Sequence, residues 1–79
     1  MDIVKGSVVR AKAGRDKDSY FVVLDVLDKF ALIADGKSRK LEKPKKKNLN
    51  HLEATKTVIT QNLETNRKIK KALSDFNNS

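Results

Sequence analysis

Lysine and arginine are the side chains through which this 79-residue chain can do chemistry, and their placement narrows what that chemistry is. Residues 37–51 carry Lys37, Arg39, Lys40, Lys43, Lys45, Lys46 and Lys47 against Glu42 alone, whereas residues 1–36 carry six Lys/Arg against six Asp. Most of the formal net charge of +8 is thus concentrated in one short segment. Like charges this close repel within a Debye length of about 8 Å in physiological salt, and a polyanion relieves that repulsion. A second basic stretch, Arg10, Lys12, Arg15 and Lys17, lies upstream. Cations presented from two loops neutralise successive phosphates, contacts that set affinity and register without reading base sequence. Arg39 stands apart in this set, because its planar donor fork makes two bonds where a lysine offers a point charge.

Other chemistry is poorly provided for. There is no cysteine, so neither a disulfide nor a thiolate metal site is available, and His51 is the only histidine. His51 is expected to be a strand residue or a phosphate neighbour. Gly6, Gly14 and Gly36 lack the spacing of a phosphate-binding loop, and the acidic residues of the first half alternate with basic ones or sit at turns. A domain of this length rarely also encloses a catalytic cleft of several hundred Å³. The expectation is a binding protein with no enzymatic activity, no metal and no cofactor. Tyr20, Phe21, Phe30 and Phe76 could stack bases, but set among Val, Leu and Ile at strand and helix spacing they are expected in the core.

The elements that must position these charges follow from periodicity. Val8–Lys12 reads as a first strand and Tyr20–Leu27 as a long second one, with Tyr20, Val22, Leu24 and Val26 on one face and Phe21, Val23, Asp25 and Leu27 on the other. Asp28-Lys29 turns into a third strand, Phe30–Ala34, and Asp35-Gly36 signals a two-residue hairpin into a fourth, Ser38–Leu41. Pro44 cannot donate a ladder hydrogen bond, so Lys43–Lys47 is expected to leave the sheet as an exposed extended segment, with Leu49–Glu53 returning as a closing strand. Ile69, Leu73 and Phe76 then recur at helical spacing, with Thr65 or Asn66 as N-cap, which predicts a helix over 66–76. So short a helix is marginal alone in water and must dock, and the Phe21/Val23 face is the expected acceptor. The tail Asn77-Asn78-Ser79 has no apolar anchor and is expected to fray.

The stretch Gly6 to Leu24 carries a more specific pattern. Ser7-Val8-Val9-Arg10-Ala11-Lys12-Ala13-Gly14-Arg15-Asp16 is an alternating strand ending at a glycine in a basic loop, and Tyr20-Phe21-Val22-Val23-Leu24 returns beside it. This resembles a KOW motif. Continued through Asp35-Gly36-Lys37 to Leu49-Asn50-His51-Leu52, the chain from about Ile3 to Phe76 is similar to small bacterial KOW proteins that are themselves similar to large-subunit ribosomal proteins. The resemblance implies an SH3-like β-barrel that binds RNA, commonly within a ribonucleoprotein, with Gly14 at positive φ so that the loop approaches a phosphate closely.

The resulting expectation is a mainly β fold, a small SH3-like barrel of the KOW type over residues 1–53 with its basic segment at 37–51, followed by a linker and short C-terminal helix over 54–79. RNA, structured or ribosomal, is the expected partner, met by Arg10, Lys12, Gly14, Arg15, Lys17, Lys37, Arg39, Lys40, Lys43, Lys45, Lys46 and Lys47, possibilities for further contact lying with ribosome or ribonucleoprotein components of translation. Two alternatives compete: a protein-interaction module within a translation or transcription complex, using Phe21, Val23, Ile69 and Leu73 if the helix does not dock, and a non-specific DNA binder served by the same charges. Residues 1–6 hold no apolar stretch long enough for a signal peptide, and no apolar run approaches the roughly 18 residues of a membrane span. A soluble, cytoplasmic monomer is expected.

Overall fold

Aromatic and aliphatic residues on both faces make Tyr20–Leu27 the central strand of the domain, paired along both edges. In the computed structural model, which describes residues 2–78, five strands run β1 Ser7–Ala11, β2 Tyr20–Leu27, β3 Phe30–Ala34, β4 Lys45–Asn48 and β5 Leu52–Val58, with a 3-10 turn at Leu49–His51 and a helix α1 at Asn66–Asn77. All neighbouring strands are antiparallel, in the order β4-β3-β2-β1-β5. The domain is mainly β with one short C-terminal helix, the expected class.

Two apolar layers form on the two faces of this sheet. Val9, Ala11, Phe21, Val23, Ala31, Ile33 and Leu52 fill the first, with Ile3, Val26 and Leu49 against them. Val8, Val22, Ala34, Ile69 and Leu73 form the second, flanked by Tyr20, Leu24, Leu41, Ile59, Leu63 and Phe76. The helix therefore docks on the Tyr20/Val22/Leu24 face, and not on Phe21 and Val23 as expected. The Phe21/Val23 face is already covered: Phe21 and Ile33, among the largest fully buried side chains, pack there with Val9, Ala11, Ala31 and Leu52, and Ile3, Val26 and Leu49 close over them. A bulge at Leu24 adds a second departure. Val23 pairs with Ile33 but Asp25 with Leu32, so the alternation slips by one and Val26 joins the Phe21/Val23 layer. Thr65 caps the helix, its Oγ1 accepting from Lys68 N at 3.2 Å. Asn77 is the last helical residue, and Ser79 of the tail expected to fray lies outside the described residues.

The second half of the sheet is built differently from its expected form. No strand covers Ser38–Leu41. The Asp35 carboxylate instead accepts from Lys37 N at 2.8 Å and Arg39 N at 2.7 Å, while the amides of Asp35 and Gly36 both donate to Arg39 O. Residues 35–39 thus spend on one another the backbone groups that a hairpin strand would have offered to β3. The fourth strand is delayed to Lys45–Asn48, immediately after Pro44, so the lysines expected outside the sheet are in it, Lys47 opposite Ala31, Lys46 opposite Leu32 and Lys45 opposite Ile33. Proline at the position before a strand supplies an extended backbone without needing its missing N–H. The closing strand also differs: Leu49–His51 is a 3-10 turn in which Asn48 Oδ1 accepts from Asn50 N, and β5 runs on to Val58, five residues past the Glu53 boundary. His51 is therefore an exposed turn residue and not a strand residue.

Candidate nucleic-acid interface

The upstream basic loop is folded tightly on itself. Asp18 N donates to Ala11 O and Ala11 N to Ser19 O, at 2.8 and 2.9 Å, while Lys17 N reaches Gly14 O at 3.2 Å. Two residues in the left-handed region make this path possible, Gly14 at φ +83 and Asp18 at φ 71. The expected positive φ of Gly14 is present, and its use is visible: a Cβ there would lie 3.1 Å from Lys47 Nζ. Lys12, Arg15 and Lys17 are exposed around this turn.

The second basic loop is held from the helix. Asn66, the first helical residue, accepts from Leu41 N through Oδ1 at 2.6 Å and donates through Nδ2 to both carboxylate oxygens of Glu42, at 2.8 and 3.0 Å. That hydrogen bond, aided by Glu42's own backbone amide and by Lys40, holds the Glu42 carboxyl below the usual carboxylate range. Gly36, at φ +77, packs directly on the Asn66 carbonyl and the Lys70 stem, where any Cβ would collide. Between these anchors Ser38, Arg39, Lys40, Lys43, Pro44 and Lys45 line an open concavity of about 470 Å³. Lys46 lies outward on β4, its ammonium 4.5 Å from the Phe30 ring centroid.

Two contacts join the loops into one surface. Arg39 Nη2 meets Asp16 Oδ2 at 2.9 Å, and Lys47 Nζ donates to Ala13 O at 2.9 Å. The residues read from sequence as a set of phosphate contacts therefore divide in two. Arg10, Arg39 and Lys47 are engaged by protein partners: Arg10, at the surface, bridges Asp18 at 2.6 Å and Glu53 at 3.1 Å, and Glu53 raises its already high pKa. Lys47 is only 9% exposed. Arg39, singled out for phosphate recognition, is committed to Asp16, and its Nε is buried without a hydrogen-bond partner among the described residues. Lys12, Arg15, Lys17, Lys37, Lys40, Lys43, Lys45 and Lys46 remain outward and exposed.

The residues that arrange this surface are mostly not basic. Asp16, Asp35, Glu42 and Asn66 hold the loops in place, and of these only Asp35, beside Gly36, carries a local turn signal. Three of the four aromatic residues serve packing: Phe21 is buried in the first layer, and Tyr20 meets Phe76 across the helix interface with ring centroids 5.2 Å apart; Phe30, expected in the core, belongs to neither layer and lies half-buried at the start of β3 under the Lys46 ammonium. Among the described residues no helix is long and apolar enough to cross a membrane. The chain matches no protein-family model, and no curated protein sequence matches it.

Proposed function

We propose that this protein is an RNA-binding domain of the KOW type that grips structured RNA through its phosphates. The observation that supports this reading best is the pair of contacts, Arg39 to Asp16 and Lys47 to Ala13 O, that set two basic loops side by side with eight exposed cations. Phosphates along a folded RNA backbone are spaced closely enough to be met by several such groups at once. RNA is favoured over DNA by the KOW resemblance of residues 6–24, which also favours a cytoplasmic ribonucleoprotein of translation as the site of action. The competing protein-interaction module needs Phe21, Val23, Ile69 and Leu73 at the surface, and all four are buried.

Binding of a labelled RNA stem-loop, titrated over a salt series, tests the proposal. With about five phosphates contacted, log K falls against log salt with a slope of roughly −3.5 to −4.5, at least about a hundredfold loss between about 50 and 200 mM. Affinity insensitive to salt over that range refutes electrostatic binding. Crosslinking in cells, followed by sequencing of the bound nucleic acid, separates RNA from DNA and shows whether the bound RNA is ribosomal.

A further inference from the structure

The helix that closes the domain carries a charge pattern that its own stability does not explain. Arg67, Lys68, Lys70 and Lys71 occupy its first turns, and there is no acidic residue in the first turn and no basic residue in the last. Cations near a helix N-terminus oppose the macrodipole, and like charges three and four residues apart, here Arg67 with Lys70 and with Lys71, repel. Only Lys71 has an acidic neighbour on the helix, Asp75, at 3.8 Å and with both side chains largely exposed. In a helix of 12 residues that must already rely on docking, this arrangement works against the fold.

Position resolves the conflict. Ile69, Ala72 and Leu73 face the sheet, so Arg67 and Lys71 point away from it and Lys70 lies on the flank. Lys70 flanks the second basic loop, its stem against Gly36, and it shares a shallow surface depression with Asp35 and Lys37. Asn66, one turn earlier on that flank, is the residue that pins Leu41 and Glu42. Lys70 thus borders the loop cations directly, with Lys37 across the shared depression, and Arg67 precedes it by one turn on the exposed side of the helix.

We infer that the outward ridge of the helix, Arg67, Lys70 and Lys71, is a second arm of the nucleic-acid surface that contacts RNA phosphates beyond those met by the loops. The inference rests on the proposed RNA binding and extends its footprint to the helix. Bound phosphates remove the repulsion among these side chains, so the ridge is unfavourable in the free protein and favourable in the complex.

The full-length triple variant Arg67→Gln/Lys70→Gln/Lys71→Gln separates this role from a structural one. The expected result is a free protein that melts at or above the wild-type temperature, yet binds a labelled RNA stem-loop about a hundredfold more weakly near 0.1 M salt, with a salt slope shallower by roughly two. A loop variant, Lys43→Gln/Lys45→Gln/Lys46→Gln, is measured alongside it. Loss of slope in the loop variant with wild-type affinity and slope in the helix variant overturns the ridge and leaves the RNA reading standing. A wild-type protein that shows no salt-dependent RNA binding overturns both. A helix variant that melts well below wild type also counts against the ridge, since it shows that these cations support the fold.

Discussion

Replacing Lys47 by methionine should destabilise the protein without the signature of a lost phosphate contact, whereas replacing its two neighbours should do the reverse. All three lysines are consecutive in β4, and on charge alone they are equivalent. Face sets Lys46 apart, and depth separates Lys47 from Lys45: Lys47 lies opposite Ala31, 9% exposed, with Nζ donating to Ala13 O, while Lys45, opposite Ile33, and Lys46 are exposed. Methionine keeps the length and apolar stem of lysine but cannot donate, leaving the Ala13 carbonyl short of a partner beside the tight turn at Gly14. A hydrogen bond from a charged donor contributes about 1.5–3 kcal/mol, and relief of the partly buried ammonium offsets some of that, so a net loss of about 1–2 kcal/mol is expected. For a domain of this size that corresponds to a drop of roughly 5–15 °C in Tm.

The paired measurement is a circular-dichroism melt and a salt titration of RNA binding on Lys47→Met and on Lys45→Gln/Lys46→Gln. The surface pair should melt within about 5 °C of wild type, as both side chains are exposed and the cation–π contact that Lys46 loses over Phe30 is worth about 0.5–1 kcal/mol. Its salt slope should fall by about 1.4–1.8, two phosphate contacts' worth. Lys47→Met, assayed well below its Tm, should keep the wild-type slope. If Lys47→Met melts normally and loses slope like its neighbours, the inward placement of Lys47 is wrong, and with it the account of how the two loops are joined.

Leu73→Ala removes a side chain that is 7% exposed between the helix and the sheet, and a cost of about 2–3 kcal/mol should appear as a lower Tm with RNA affinity nearly unchanged at low temperature; a normal melt would show that the helix does not close the domain. Because Asn66 holds the Glu42 carboxyl below its ordinary range, the folded state favours the ionised form, and that stabilisation is present above the unfolded carboxylate pKa and lost as pH falls through the lower folded value. Glu42→Gln should therefore flatten the acid side of a Tm-against-pH curve between neutral pH and about pH 3, and an unchanged curve would show that the Asn66 clamp contributes nothing to folding.

What the sequence disclosed and what it concealed follow from the range over which each feature is specified. The limits of β2 and β3, the helix, its Thr65 cap and the positive φ of Gly14 are written in neighbouring residues, through alternation, 3.6-residue spacing and turn chemistry, and each is found where local reading places it. β4 is not written that way. Lys45-Lys46-Lys47-Asn48 has no strand propensity of its own, and it becomes a strand because β3 presents an unpaired edge once Asp35 has closed residues 35–39 into a loop. Arg39 and Asp16 are 23 residues apart with nothing local to connect them.

The same distinction bears on how binding surfaces are read from charge. Segment totals raise the expectation of a polyanion, but they count Arg10, Arg39 and Lys47, whose charges already meet protein oxygens, and they give no weight to Arg67 and Lys70, the proposed helix contacts, in a helix whose apolar stripe draws attention first. A cation that holds a loop and a cation that meets a phosphate differ in whether an acidic or carbonyl oxygen already lies within hydrogen-bond distance. Arg39 has Asp16 and Lys47 has Ala13 O, and their outward neighbours Lys40 and Lys46 are exposed on the same surface. Asp16 is therefore as much a part of this interface as any lysine, because it fixes the spacing of the two loops that an RNA backbone would have to match.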